Sequence, residues 1–360
     1  MPRETVASFD ITYQEVLSSD GSVDEALYPS ELSDAELREL YRHMKLARRL
    51  DERAIALQRR GELGTYAPST GQEAAQVGSA MALREDDWFV PAFREQAAAI
   101  ALGGAPRDVL LYAMGYEEGA EIPDELNALP PAIPVGSQPL HAAGIGWGES
   151  LKGTDRAAIT YFGDGATSQG DVYEAMNFAG VYDAQTVFCC QNNQYAISTP
   201  RHVQTQAETL AQKAVAAGIE SIQVDGNDVL GMYAATRDAI EKARQGNPVL
   251  IEALTYRQQM HTTSDDPSRY RSDVEEDEWL AKDPLIRYEA FLRNRGLLDD
   301  DAIDTIDDTI EAELEDAITA AKTAATTADP ADMFHHVFAE MPASLRSQHA
   351  QFIGGEDSDE

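Results

Sequence analysis

Lysine is scarce in this chain. It has six lysines beside 22 arginines, and 28 basic residues stand against 63 acidic ones, for a formal net charge of −35. So acidic a surface argues against nucleic acid and anionic membranes as general partners, because like charge repels a polyanion. It points instead to concentrated salt, where screening shortens the reach of self-repulsion, and so to a halophilic setting. Cysteine is nearly absent too. Cys189 and Cys190 are adjacent in the apolar run TVFCCQ. Strand neighbours face opposite ways, which argues against a disulfide or a metal site and for two buried thiols. Long apolar runs are missing, and the N-terminal MPRETVASFDITYQEV has no signal core, so a soluble, cytoplasmic protein without membrane attachment is expected.

What is present changes character along the chain. Residues 1–32 are mixed and polar and read as an N-terminal arm. Ser33 and Glu36 then form a capping box that opens a long helix stopped at Gly61. GQEAAQVGSAMAL and APRDVLLYAMG predict further helices, and IPDELNALPPAIPVGSQP predicts an irregular connector. From residue 157 strands and helices alternate: AAITYF, TVFCCQ, SIQVDG and PVLIEALTYR are strands separated by helical segments. That alternation predicts an α/β fold, a parallel sheet with helices on both faces. The reading assigns 33–280 to this α/β domain, 281–352 to a C-terminal helical region, and 353–360 to a disordered acidic tail.

The stretch FGDGATSQGD holds the chemistry. Gly163 and Gly165 bracket Asp164 where a strand gives way to a helix. Such a loop suits a phosphate, since glycines let backbone N–H groups approach and a helix N-terminus attracts anions. A dinucleotide fingerprint would need glycine or alanine at Ser168 and an acid ending the next strand; that strand ends in Gln191, Asn192 and Asn193. A P-loop would need lysine where Asp171 stands. Gly–Asp–Gly alone is compatible with a simple tight turn. An aspartate facing a diphosphate is repulsive unless a divalent cation sits between them, and Mg²⁺, with its oxygen ligands, fits that place. Asp164 would supply the charge, the Asn193 amide a neutral oxygen, and a carbonyl of the following turn a third ligand.

GDG, 26 residues between Gly165 and Asn192, and then NN resembles the signature of thiamine-diphosphate enzymes. The wider text, from YRHMKLARRLDERAIALQRRGELGTYAPSTGQEAAQVGSA through GDGATSQGDVYEAMNFAGVY, QNNQYAISTP and HTTSDDPSRYRS to AEMPASLRSQ, resembles alpha subunits of the decarboxylating first component of 2-oxo acid dehydrogenase complexes. The resemblance implies a thiamine-diphosphate-binding fold with extra C-terminal helices. It implies that Asp164, Asn193 and the carbonyl of Tyr195 ligate Mg²⁺, and that the loop Gly163, Gly165 and Ala166 meets the diphosphate. Arg94 would reach the diphosphate, beside Phe93, where the family usually has tyrosine. Val135 and Ser137 would touch the aminopyrimidine, and His261 would serve as a cation near phosphate and a donor to the reacting intermediate. The implied partners are a beta subunit in an α₂β₂ heterotetramer, a lipoyl-bearing acyltransferase and a 2-oxo acid substrate, pyruvate ahead of branched-chain acids. Ala67 and Glu118 stand where some relatives carry histidine, which leaves open a cofactor-binding paralogue without catalysis. A ferredoxin-linked enzyme would need cysteine sets that this chain lacks.

Overall fold

The computed structural model describes residues 3–356 apart from 124, 328 and 336. Its strands are β1 (Thr12–Gln14), β2 (Trp88–Val90), β3 (Ala158–Gly163), β4 (Thr186–Asn192), β5 (Tyr195–Ala196), β6 (Thr199–Pro200), β7 (Glu220–Asp225) and β8 (Val249–Leu254). Six of them form one parallel sheet in the order β1-β7-β8-β4-β3-β2, while β5 and β6 pair as a short antiparallel hairpin. The alternation read from residue 157 onward is this sheet's central part. Cys189 and Cys190 do face opposite ways. Cys189 packs with Ile159, Tyr161, Ile251, Met232 and Ala239, and Cys190 with Phe162, Phe188, Val172 and Met176. Both faces are therefore covered by helices, and both thiols are buried and free.

The helix Asp34–Arg59 starts at the expected capping box: Ser33 Oγ accepts the Glu36 N–H, and the Glu36 carboxylate accepts the Ser33 N–H at 2.8 Å. Its apolar face buries Leu37, Leu40, Met44, Leu50 and Leu57. Leu37, Leu40 and Met44 pack on Tyr288, Phe291 and Leu292 of the helix Pro284–Asn294, and Leu50 and Leu57 on Ile310 and Leu314 of the helix Asp300–Thr327. The change of character near residue 281 is thus one of composition, and the packing continues across it. The last helix, Ala343–Glu356, reaches into the stretch read as a disordered tail; residues 357–360 lie outside those described.

Two strands carry no periodicity that marks them in the sequence. β1 lies inside the polar arm, pairs parallel with β7, and continues into Val16 and Leu17, whose N–H groups donate to Asp228 at 2.6 and 2.9 Å. β2 is an edge strand of three residues beside β3. The segment read as an N-terminal arm thereby contributes one short strand to the sheet.

Candidate active site

Strand register brings the functional loops level. Gly163 pairs with Gln191, and Asn192 with Leu254, so β3, β4 and β8 end side by side. Ligands in parallel sheets bind beyond such carboxyl ends. The glycine loop leaves β3 as a short 3-10 turn, Asp164–Ser168, and then becomes the helix Gly170–Val181. A side chain at Gly165 would meet Ala196 Cβ at 2.7 Å, so the loop and the β5–β6 hairpin approach as closely as backbone allows.

Asp164 is 1% exposed, and burial pushes its carboxyl up to about 6. Its side-chain hydrogen bond comes from a neutral amide, Gln204 Nε2 at 2.6 Å, and Arg257 draws its pKa back only through space. Asn193 lies one residue beyond the end of β4. Its Oδ1 accepts the Tyr195 N–H at 3.3 Å, and its Nδ2 donates to Gln72 Oε1 at 3.0 Å. Positive φ at Gln194 (77°) and Ile197 (56°) turns this strand end sharply, a strained backbone of the kind that functional sites retain. Asp164 follows the end of β3, and Asn193 and Tyr195 follow the end of the neighbouring β4. The Tyr195 carbonyl is held by Arg257 Nη1 at 3.2 Å.

Adjoining the Tyr195 carbonyl is a concentration of positive charge. Arg94 is buried; its Nη1 donates to Pro68 O at 2.7 Å, and its Nη2 to His261 O at 2.9 Å and Nδ1 at 3.0 Å. Arg257 is fully buried. Its guanidinium reaches Ile197 O at 2.6 Å, the Tyr270 hydroxyl at 3.1 Å and His261 Nδ1 at 3.3 Å. Two buried guanidiniums held by neutral acceptors make a place for an anion. Burial and the neighbouring Arg257 lower Arg94 to about 10. His261 was expected to be a cation. Burial first, then Arg94 and Arg257, hold it down to about 3, so among these protein groups alone its imidazole is neutral; an anion bound between the arginines would raise it. With both arginines donating to Nδ1, the proton sits on Nε2.

The other positions singled out in the sequence have these surroundings. Phe93 meets His261 edge-to-face, ring centroids 6.1 Å apart, and its ring cannot make the hydrogen bond a tyrosine would. Ala166 is buried within the loop, and Gly163 ends β3. Val135 is half exposed, and Ser137 Oγ donates to Pro134 O at 2.8 Å. Between them Gly136 passes so near Gln169 that a Cβ would lie 2.9 Å from that side chain, which places the segment at the exit of the glycine loop. Ala67 contributes its carbonyl to Gln96 Nε2 at 2.7 Å. Glu118 is exposed in the turn Glu117–Ala120.

Sequence reasoning missed the residues that hold these groups. Asp51, buried on the first helix, accepts from Tyr66, Ser69 and Thr70 and so shapes the loop that meets Arg94. Glu95 accepts from Gln191 Nε2 at 2.7 Å, and Gln191 Oε1 accepts from Gln76 Nε2 at 3.0 Å, tying the Arg94 turn to β4. None of these has a spacing signature. Arg257 is the most consequential omission, although YR at the end of a strand pointing to the crevice could have singled it out.

The arrangement joins a buried acid and oxygen donors to a pair of buried cations. That donor set could hold a hard divalent cation on the Asp164 side and an anion between it and the arginines. Comparison with known proteins agrees in kind. A sequence model of the family described as dehydrogenase E1 component matches residues 41–329. The chain is similar to the Bacillus subtilis (strain 168) protein called pyruvate dehydrogenase E1 component subunit alpha, 48% identical over 289 residues, covering 79% of this chain and 77% of that one. A Staphylococcus aureus (strain Mu50) protein of the same name is 46% identical over 301 residues, covering 83% and 80%. On this match and this site, the chain belongs to the dehydrogenase E1 component family, among relatives that are alpha subunits.

Proposed function

We propose that this chain is the alpha subunit of a thiamine-diphosphate- and Mg²⁺-dependent 2-oxo acid dehydrogenase, with pyruvate the favoured substrate and branched-chain 2-oxo acids next. One observation carries the reading: buried Asp164 and Asn193 follow the ends of neighbouring parallel strands, and Arg257, which meets the Tyr195 carbonyl, joins Arg94 around His261. Thiamine diphosphate, when bound, supplies the nucleophilic carbon and the electron sink that decarboxylation requires. Asp164, Asn193 and the Tyr195 carbonyl would hold the cation. Arg94 and Arg257 would neutralise the anion, and the glycine loop would meet it with backbone N–H groups. His261 would present its Nε2–H to an oxygen of the substrate, a donor held in place by Arg94 and Arg257 at Nδ1. Pyruvate comes first because the relatives at 46–48% identity carry that name.

The working unit of this proposal includes a beta subunit and a lipoyl-bearing acyltransferase that receives the acyl group, in the cytoplasm of a salt-rich cell. The free thiols of Cys189 and Cys190 suit a reducing compartment, and the −35 net charge suits salt. The test mixes this chain with its beta partner in molar KCl and follows decarboxylation of pyruvate and three branched-chain 2-oxo acids with an artificial electron acceptor. Turnover fastest on pyruvate, and lost in Asp164→Ala, is expected. Cofactor binding without turnover on any of these acids would overturn the proposal in favour of another substrate or a paralogue without catalysis.

A further inference from the structure

Gln72 stands at the N-cap position of the helix Glu73–Ala80, yet its side chain makes no capping hydrogen bond. It is 1% exposed, and its Oε1 accepts from Asn193 Nδ2 at 3.0 Å. The sense of that bond does not depend on how either amide is drawn. The Tyr195 backbone N–H can only donate, and it takes Asn193 Oδ1. Nδ2 of Asn193 is therefore the end that meets Gln72, and Gln72 has to answer with oxygen. Its own Nε2 is left buried with no partner among the described residues. A buried donor without an acceptor is costly, and an acceptor on a bound group would remove that cost.

We propose that Gln72 is a positioning residue for Asn193: it holds the amide with its oxygen toward the cation and reserves Nε2 for an acceptor on the bound diphosphate group. The inference rests on the reading of this crevice as a cation-and-diphosphate site. Without an acceptor at position 72 only the Tyr195 N–H, at 3.3 Å, still opposes rotation of the Asn193 amide, and a turned amide offers N–H groups where the cation needs a lone pair. Nothing in the spacing of the sequence marks this role, because Gln72 precedes Asn193 by 121 residues and the two meet only in the fold.

Two substitutions separate the two ends of the side chain. Gln72→Glu keeps an acceptor for Asn193 and removes the donor; Gln72→Met removes both. In the chain assembled with its beta partner, Mn²⁺ is titrated at saturating thiamine diphosphate, thiamine diphosphate at saturating Mn²⁺, and melting is recorded without either. Gln72→Glu is expected to bind Mn²⁺ within about threefold of wild type but the diphosphate about tenfold more weakly. Gln72→Met is expected to lose roughly 10–100-fold on both, the usual effect of removing a group that orients a metal ligand. Should the methionine variant fail to fold, the split in the glutamate variant still decides. Wild-type affinities in Gln72→Met, or the glutamate variant keeping full diphosphate affinity or losing Mn²⁺ as heavily as methionine, would overturn the inference. A wild-type complex that binds neither probe would overturn the reading of the crevice itself.

Discussion

Gly165 shows how tightly the site is built at the scale of single residues. Its missing Cβ is the space that Ala196 occupies, 2.7 Å from where that atom would lie. Gly165→Ala must push the hairpin and the glycine loop apart, an overpacking of roughly 1–3 kcal/mol. Because the displaced atoms are those around Asp164, the expected result is at least about tenfold weaker thiamine-diphosphate binding, measured by fluorescence titration, with the secondary structure intact. Asp164 and Asn193 were legible because a glycine loop and an amide pair have a spacing that chemistry explains. Gln72, Gln204 and Glu95 were not, since a hydrogen-bond partner far away in sequence leaves no local trace. His261 meets Arg94 and Arg257, and its charge depends on these two arginines, which converge only in three dimensions.

Among elements, the central strands β3, β4 and β8 were readable because each is a largely apolar run between helices, buried on both faces. The strand β7, ESIQVD, buries only its last two residues and was legible from its place in the strand–helix alternation. β1 escaped because an edge strand of three residues needs little apolar surface of its own. Asp228 does much of the work for it. It caps the helix Val229–Arg244 through the Leu230 N–H and accepts the N–H groups of Val16 and Leu17. Asp228→Ala leaves those three N–H groups without their acceptor. A loss of roughly 3 kcal/mol in a denaturant titration is expected. The segment before residue 18 is expected to become sensitive to protease in the same variant. Unchanged stability and unchanged protection would show that the sheet alone holds the segment.

For the molecule as a whole, charge is the dominant peculiarity. Some of it is organised: Arg42, Lys45, Arg49 and Arg53 on the first long helix pair with Glu313, Asp307, Glu311 and Glu315 on the helix Asp300–Thr327. These pairs are part-exposed and individually worth little, and salt weakens them. The unpaired excess that remains in a net charge of −35 repels itself over a longer range. Screening removes that repulsion faster than it removes close contacts, so melting temperature is expected to rise between about 0.1 M and about 2 M KCl. A fall over that range would mean that the ion pairs outweigh the repulsion. The composition made this legible before any fold was known, whereas the helix pairing that absorbs part of the charge required the structure.

The central claim is that Asp164 holds a cation and the cation holds a diphosphate. Thiamine diphosphate titrated into the complex of this chain with its beta partner, with Mg²⁺ and then with chelator, tests it most directly. Wild type should bind tightly only with the cation, and Asp164→Ala should lose the difference between the two conditions. Equal binding with and without Mg²⁺ in the wild type would contradict the account.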